Sequence, residues 1–524
     1  MEDVPAEIAT HPQGEVERRE EGDVLEPSRA VETFGGKVFV RWDPEAAVTA
    51  FGPVTYFIEF LKSNELWQQW VKDCPLSYSS PNAPPKEDIL GTVLLSVLAG
   101  HRRYAHVTTI RSDSVTPGLL GMERVRSADA VRRAFLKGES EDYAAWLNQH
   151  LNSTYEALLS EPWILDIDGT VKTLYGEQEQ AVRGYNPTKH GRPSHVYQTY
   201  FIAAIRMVLD VEVQAGNQTA SKHAQPGLWA WLEQRPREQW PKLLRGDIGW
   251  GTEAMMEECE KRSQDYLFKI RQTSKVKEHI ARLMGRGDWV AAGGDWQGMW
   301  SELRLSGWSR KRRVVVLRRK ARKAPATVAG KDHPQQELFA TAEVLEAGQL
   351  YEYAVLVTSL VEGVLGIAQL YRDRGESENI FDELKNQWGW AGFTTQDHRR
   401  CQIFARIVAL IFNWWSLFTR LAIPNRHTEA TTSRPLLLHG IGRQTKHGNQ
   451  TTLTITSNHA QAGPVRQALE NVSSLLQRFA HTARQLTVEQ RWHRLLRFIF
   501  RDWLTTRTPT LPFLPMTALS NCRI

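Results

Sequence analysis

The sequence GIAQLYRDRGESENIFDELKNQ, at residues 366–387, determines which fold the rest of the chain supports. Its apolar pattern predicts a helix near 360–388. Four polar residues in it, at offsets of 0, 3, 7 and 14, are Tyr371, Arg374, Glu378 and Lys385. On a continuous helix with about 3.6 residues per turn, all four fall within an arc of roughly 60°. A hydroxyl, a guanidinium, a carboxylate and an ammonium on one face suit a phosphodiester with its metal ions better than a core.

Two other segments place aspartates in strand-like settings. The β-prone run PWILDIDGTVKTLYG at 162–176 contains Asp166 and Asp168, and KLLRGDIGW at 242–250 places Asp247 after a short apolar run. Aspartates near strand ends, completed by a glutamate from a helix, bind hard divalent cations through oxygen ligands. Residues two apart on a strand point to the same face, so spacing alone leaves Asp166 and Asp168 both open as the first ligand.

The order and spacing of these residues resemble a known family. Asp168-Gly169-Thr170, then Asp247, then the Tyr-Arg-Glu-Lys set are similar to the Asp-Asp-Glu (DDE) transposases of bacterial insertion sequences, in the subgroup with a Tyr-Arg-Glu-Lys signature. GYNPTKHGRPSH at 184–195 is typical of the segment after the first aspartate, and YLFKIR at 266–271 of the strand after the second. The resemblance covers roughly residues 85–425.

The resemblance implies an α/β fold with a ribonuclease-H-like mixed sheet flanked by helices. It further implies a mainly β insertion in this core, with helical N-terminal and C-terminal regions. The residue patterns agree with it. They predict strands near 163–174, 197–206, 208–214, 242–248 and 266–272, and helices near 227–234, 252–262 and 360–388.

The resemblance also implies a site and a reaction. Asp168, Asp247 and Glu378 would be the catalytic carboxylates and would bind two Mg²⁺ ions, with Mn²⁺ as a substitute; the Asp-Gly-Thr context favours Asp168 over Asp166. Tyr371, Arg374 and Lys385 would contact DNA phosphates. The protein would bind the terminal inverted repeats of an insertion sequence, cleave phosphodiester bonds and join the 3′-hydroxyl ends to target DNA, as a homodimer on double-stranded DNA. Alternatives are a related nuclease without strand transfer and a binding-only repressor.

The 131 positions between Asp247 and Glu378 predict an insertion in the core. Nine of the fourteen residues at 310–323 are Lys or Arg, and the apolar run at 314–317 is strand-forming, so the segment is predicted to be a basic β-hairpin that contacts the DNA backbone. The candidate phosphate-binding residues are Arg310, Lys311, Arg312, Arg313, Arg318 and Arg319.

Four tryptophans of this insertion are candidates for holding a displaced base, since stacking on an unpaired base needs a large flat ring. They are Trp289, Trp296, Trp300 and Trp308. In related transposases an inserted β-domain beside the active site uses an aromatic residue in this way. The alternative is that these rings pack under the insertion.

Composition supports a DNA-binding protein of the cytoplasm. The 524 residues carry a net charge of +6 with a pI near 9.0, which favours a polyanionic partner through local basic patches. Four scattered cysteines without C-x-x-C pairing indicate a reduced compartment. The N-terminus lacks an export signal, and the apolar run at 403–418 contains Arg406 and Asn413, which predicts a buried core helix and no membrane partner.

The predicted organisation has six parts. They are a disordered tail at 1–30, a helical DNA-binding region at 31–160, the first part of the catalytic core at 161–274, the basic β-rich insertion at 275–350, the second part of the core at 351–427, and a linker with a helical C-terminal region at 428–524. Within the last part, residues 428–452 are predicted to form a loop. Pro464 then opens a helix with near-heptad apolar residues, which suits either self-association or packing on the core.

Overall fold

The structure, a computed structural model, describes residues 28–136, 138–321, 343–346, 349–424, 427–456 and 459–506. The strands are β1 (Arg29–Thr33), β2 (Gly36–Val40), β3 (Val48–Thr49), β4 (Ile164–Thr173), β5 (Val182–Arg183), β6 (Pro193–Ile202), β7 (Met207–Ala215), β8 (Leu243–Gly246), β9 (Tyr266–Lys269), β10 (Val290–Ala291), β11 (Trp296–Leu303), β12 (Arg312–Lys320), β13 (Glu343–Glu346), β14 (Gln349–Thr358), β15 (Gly442–His447) and β16 (Gln450–Ile455). The helices are α1 (Val54–Ser63), α2 (Leu66–Asp73), α3 (Lys86–Leu98), α4 (Thr116–Leu119), α5 (Ala128–Ala134), α6 (Ser140–Ser153), α7 (Gln225–Glu233), α8 (Glu253–Lys261), α9 (Ser274–Leu283), α10 (Val364–Arg372), α11 (Gly375–Asn386), α12 (His398–Ala422), α13 (Ala430–Leu437), α14 (Ala462–Thr482), α15 (Val488–Ile499) and α16 (Arg501–Thr506).

The chain divides into two compact units, Met1–Ala46 and Ala47–Ile524. In the described part of the first unit, β1 and β2 pair antiparallel as a hairpin, with Thr33 opposite Gly36. Gly36 has a φ of 107°, which favours glycine at this turn. Of the predicted tail at 1–30, residues 1–27 lie outside the described residues and the last two belong to β1.

A mixed sheet lies at the centre of the second unit. Its strand β4 pairs antiparallel with β6 and parallel with β8. Beyond these, β7 pairs antiparallel with β6, and β9 pairs parallel with β8. Helices α6 and α12 pack against β7, and α11 packs against β4. This arrangement confirms the predicted α/β fold with a mixed sheet flanked by helices.

The strands of the predicted insertion continue this central sheet. Strand β14 pairs antiparallel with β9, and β12, β11 and β10 follow in that order. The predicted basic hairpin is therefore present as β11 and β12, with Leu303 opposite Arg312. The backbone groups on the outer side of β9 need partners, and β14 supplies them.

Helix α12 forms the core behind β7. It is long and apolar enough to span a membrane, but 89% of its apolar window is buried inside the fold, as expected for a core helix. Its polar side chains bond to the backbone of the strand: Asn413 accepts from the Val208 amide at 3.1 Å and donates to its carbonyl at 2.8 Å. Gln402 makes the same pair of bonds to Val213, at 3.0 and 2.9 Å. These amide side chains satisfy strand backbone that would otherwise be buried without partners.

The N-terminal helices pack onto the same core. Phe57 of α1 contacts Trp415 and Phe418 of α12 edge-on, with ring centroids 5.3 Å apart in both pairs. Helix α5 begins after Ser127, whose hydroxyl accepts from the Ala130 amide at 3.2 Å and caps the helix. The region is thus part of the second unit's main core.

The prediction of a loop at 428–452 is wrong. This segment contains α13 and most of a hairpin, in which β15 and β16 pair antiparallel with His447 opposite Gln450. The two residues between them are Gly448, with a φ of 54°, and Asn449. Such a pair is typical of a two-residue hairpin turn, and the polar composition had indicated only a loop.

Helix α14 resolves the alternative for the C-terminal region. Its residues Leu469, Val472 and Leu476 are buried in the main core of the second unit, so the apolar stripe packs on the chain itself. Helix α15 follows with a capping box between Thr487 and Gln490, and its Trp492 indole donates to the Ser153 carbonyl at 2.7 Å.

Candidate active site

The central strand β4 carries two aspartates in different surroundings. Asp166 lies beside Arg245 of β8 in the parallel register, and the guanidinium forms a bidentate ion pair with it at 2.6 and 2.9 Å. Both side chains are buried, and Arg245 also donates to the Leu370 carbonyl at the end of α10. Asp168 lies two residues further along and contacts Arg374. Because Asp166 is committed to Arg245, Asp168 is the aspartate of this strand that faces the signature segment.

Asp247 follows β8 and is held by a tight turn. Its carboxylate accepts from the Gly249 amide at 2.8 Å, and its carbonyl accepts from the Trp250 amide at 3.1 Å. The preceding Gly246 leaves no room for a side chain, since a Cβ there would stand 2.9 Å from Cβ of Trp250. The turn therefore presents a half-buried Asp247 at the end of the strand beside β4.

The signature segment is two helices, where the sequence predicts a single one. Helix α10 ends at Arg372 and α11 begins at Gly375, with tight bonds from the Arg374 amide to the Tyr371 carbonyl at 3.2 Å and from the Ser377 amide to the Arg374 carbonyl at 2.9 Å. Glycine is a poor helix residue, which accounts for the break at this position. The arc of roughly 60° calculated for a continuous helix therefore does not describe the real geometry.

The far side of α11 is anchored by a buried polar cluster. Glu383 accepts from the Trp388 indole and the Ala430 amide, both at 3.1 Å, and from His427 at 2.7 Å. Arg206 contacts Glu376 at 2.9 Å on the same helix. These bonds hold α11 in place by one face, so that Glu378 and Lys385 lie on the opposite face.

Two of the predicted carboxylates act electrostatically on the third. The pKa of Asp168 is raised to about 7, chiefly by burial and in part by Asp247 and Glu378, against the lowering effects of Arg374 and the Gly169 amide. Burial alone would lower the pKa of Arg374, but Asp168 and the other nearby acids raise it above its ordinary value. Asp168 thus lacks enough positive charge around it, which is typical of a functional carboxylate.

The chemistry of this donor set fits a hard divalent cation, because three carboxylates supply oxygen ligands and excess negative charge. The positions of the side chains do not yet form such a site. Among the residues that the structure describes, no three His, Cys, Asp or Glu side chains are grouped closely enough to hold a metal ion. The predicted cage of three acids is therefore not closed in this conformation, and the Arg374 guanidinium is the counter-charge in contact with Asp168.

Tyr371 and Lys385, the other signature residues, are placed differently from each other. Tyr371 is 1% exposed, within the apolar cluster around β12 and β14, and burial raises the pKa of its hydroxyl. Lys385 donates to the Thr170 hydroxyl at 3.2 Å, two residues beyond Asp168 on β4. Burial lowers the pKa of Lys385.

Two arginines of the basic run are paired with carboxylates from other parts of the chain. Arg312 is 4% exposed and forms ion pairs with Glu253 and, at 2.7 Å, with Glu260. Arg319 bonds to Glu352 at 2.7 Å. These two side chains are occupied by partners that are distant in the sequence.

The remaining basic residues of the run differ in exposure. Arg310 and Lys311 are exposed, although Arg310 contacts Glu260 at 2.9 Å. Arg313 is half-buried over the Trp300 ring at 4.1 Å, and Arg318 over the Trp289 ring at 4.0 Å. From Arg312 to Lys320 the run therefore lies in β12, and Arg310, Lys311 and Lys320 are the exposed basic residues of its described part.

The four tryptophans pack within the sheet region. Trp296 and Trp308 are buried, with 6% and 7% of their surface exposed. Trp300 is half-buried and donates to the Glu362 carbonyl at 3.2 Å, while Trp289 is half-buried against Tyr353. In this conformation all four rings serve the packing of the insertion, which was the alternative to base holding.

Sequence analysis missed the role of Arg245 and of a cluster of arginines near the end of β4. An arginine inside the apolar run at 242–250 is itself a signal, because arginine is rarely buried without a partner. Arg102, Arg103 and Arg132 line one cavity together with the residues that follow β4. No local pattern indicates this cluster, since its members are brought together by the fold.

Comparison with known proteins places these residues in a family context. The family model described as Transposase DDE domain group 1 matches residues 84–477, a range that contains all three carboxylates and the signature segment. Among solved structures, a cryo-EM structure of the piggyBac transposase synaptic complex with hairpin DNA is similar to this chain, with a TM-score of 0.38 and 10% identity over 89% of each chain. No curated protein matches the chain.

Proposed function

The chain belongs to the family Transposase DDE domain group 1, and from that premise we propose that it is an active DNA transposase. It binds the terminal inverted repeats of an insertion sequence, cleaves phosphodiester bonds at the element's ends and joins the resulting 3′-hydroxyl groups to target DNA. The supporting observation is Asp168, a buried carboxylate whose pKa is raised to about 7, in part by Asp247 and Glu378 from two other segments.

The proposal assigns the metal to these carboxylates. Asp168, Asp247 and Glu378 would hold two Mg²⁺ ions, for which Mn²⁺ substitutes. When bound, the metal supplies an activated water and stabilises the charge that develops on the phosphate and the leaving oxygen. The turn at Asp247 and the anchored face of α11 hold their carboxylates in place before DNA arrives.

Basic side chains of the signature position the DNA. The guanidinium of Arg374 suits bidentate binding of a phosphate, whereas the ammonium of Lys385 acts as a point charge. In the DNA complex, Arg374 exchanges its contact with Asp168 for phosphate oxygens, which frees that carboxylate for metal. Tyr371 supports this arrangement from the buried side, next to Arg374 and Asp168.

The proposed partners follow from the same chemistry. Double-stranded transposon ends and target DNA would lie across this site, and the exposed Arg310 and Lys311 would contact the DNA backbone beside it. The protein would act as a homodimer on DNA in the cytoplasm, without a membrane partner.

The test is a cleavage assay with Glu378→Gln on labelled duplexes that carry the element's ends. Losing one ligand of a metal site removes several kcal/mol of transition-state stabilisation, so we expect a fall in rate of about 10³-fold or more, with DNA affinity kept within about twofold. Asp382→Asn is the matched control, because it removes an exposed carboxylate one turn further along α11. It should cleave at the normal rate.

Products of the same assay separate the alternatives. Cleavage with joined product supports a transposase, cleavage without joining a nuclease, and DNA retention without cleavage a repressor. If Glu378→Gln cleaves at the wild-type rate, the assignment of the site is wrong.

A further inference from the structure

Two of the three segments that carry the proposed carboxylates, β4 and α11, run from them toward one cavity. From Asp168 to Thr173, β4 spans five residues, or about 17 Å at about 3.3 Å per residue. From Glu378 to Asn386, α11 spans eight residues, or about 12 Å at 1.5 Å per residue. Lys385 of α11 bonds to Thr170 of β4, so the two elements stay together along this path.

The cavity at the end of this path has a volume of about 450 Å³ and a basic lining. Arg102, Arg103 and Arg132 contribute to it, and among its described lining residues there is no carboxylate. Arg102 also donates to the Asn386 carbonyl, which joins the cavity wall to the end of α11. Such a lining suits the phosphates of a polyanion.

Two exposed tyrosines lie in the loops around this cavity. Tyr175 lines it and is 71% exposed, and Tyr185, on the loop before β6, is 80% exposed. The loop of Tyr185 is tied to the end of β4, because the Asn186 amide donates to the Thr173 hydroxyl at 3.0 Å. Arg192, from the same loop, lies 5.7 Å from the centre of the Tyr175 ring. The same loops also carry the exposed acids Glu177 and Glu179, outside the lining.

We propose that this cavity and its two tyrosines bind an unpaired stretch of DNA next to the phosphate that is cut. The arginines contact the backbone, and Tyr175 and Tyr185 stack on bases, because exposed aromatic rings beside a basic groove are the usual platform for single strands. The inference rests on the proposed function, and it moves base holding from the packed tryptophans of the insertion to the loops after β4. Duplex DNA, which hides its base faces, would use the arginines alone.

The test measures binding by fluorescence anisotropy with a labelled twelve-nucleotide oligo(dT) and a twelve-base-pair duplex. Tyr175→Ala/Tyr185→Ala should weaken oligo(dT) binding about fivefold or more, and duplex binding less than twofold. Tyr175→Phe/Tyr185→Phe keeps both rings and should bind oligo(dT) within twofold of the wild type. Both tyrosines are exposed, so their substitution should leave the melting temperature unchanged, which checks the fold.

Charge is tested separately. Arg103→Ala/Arg192→Ala should reduce the slope of log affinity against log salt for oligo(dT) by about 1.4, since each phosphate contact on a single strand contributes about 0.7. Lys275→Ala/Lys277→Ala removes the same charge from the exposed face of α9 and should leave the slope unchanged.

The inference is wrong if the alanine variant binds oligo(dT) as tightly as the wild type does. It is also wrong if the alanine variant loses the same affinity for oligo(dT) and for the duplex, or if the phenylalanine variant binds oligo(dT) as weakly as the alanine variant. The proposed function stands in these cases if the wild type cleaves DNA and Glu378→Gln does not. A wild-type protein that neither binds nor cleaves DNA contradicts the proposed function itself.

Discussion

Asp166 and Asp168 lie two residues apart on β4, and each contacts an arginine from another segment. The two pairs differ in how completely their charges are compensated. Asp166 and Arg245 form a bidentate ion pair, and Arg245 also donates to the Leu370 carbonyl of α10. Asp168 has one guanidinium contact and one amide bond, and two other carboxylates act on it. The same residue types on one strand thus build a closed structural link and an open site. The difference is the number of acids that share each arginine.

The largest expected effect is on catalysis. Asp168→Asn should reduce DNA cleavage about 10³-fold or more, because it removes a proposed metal ligand. Asn has nearly the same shape as Asp, and Asp247 still acts on the buried Arg374, so the variant should remain folded. Cleavage rates and a thermal melt measure both effects. Activity within tenfold of the wild type would remove Asp168 from the site.

The second effect is on stability. Asp166→Asn leaves Arg245 buried with half of its partner missing, and breaking a buried pair in this way costs about 3–5 kcal/mol of unfolding free energy. Urea denaturation measures the loss. Asp166→Leu/Arg245→Met should recover most of it, because replacing both partners leaves no buried charge unpaired. If the single variant is as stable as the wild type, the two pairs do not differ as described.

The smallest effect is a pH dependence. The folded-state pKa of Asp168 is raised to about 7 from 3.8, so the folded protein holds this proton between about pH 4 and pH 7 while the unfolded chain releases it. This group therefore stabilises the metal-free protein most at low pH, and its contribution is lost as the pH rises through 7.

Melting temperatures at pH 5 and pH 8, without metal, measure this contribution. From pH 5 to pH 8, we expect the melting temperature of the wild type to fall by on the order of a few °C more than that of Asp168→Asn. Asp168→Asn is the control for the wild type, because the two proteins share every other titrating group. An identical pH dependence in the two proteins would show that Asp168 titrates normally.

Much of the core was predictable from local patterns. The five central strands lie close to where the apolar runs predict them. Periodicity failed at the junction of α10 and α11, because it assumes a continuous helix while the chain tightens before Gly375. It also failed at 428–452, where turn chemistry and not composition was the relevant signal.

Charge in the sequence was a poor guide to charge available at the surface. The run at 310–323 is the densest basic stretch considered, yet Arg312 and Arg319 are paired with acids elsewhere in the chain. Arg102 and Arg103 lie outside this run, yet they share one cavity with Arg132. Pairing depends on partners far away along the chain, which no window of sequence contains.

The sequence by itself determined the family and the strands of the sheet and predicted the three acids, because residue type, spacing and alternation are local properties. Only the tertiary structure decided which aspartate of β4 faces the signature, how Arg374 meets Asp168, and which basic residues remain exposed. These depend on side chains that approach through the fold, and burial makes the choice of partner energetically decisive. A carboxylate becomes a site or a structural link according to its neighbours in space.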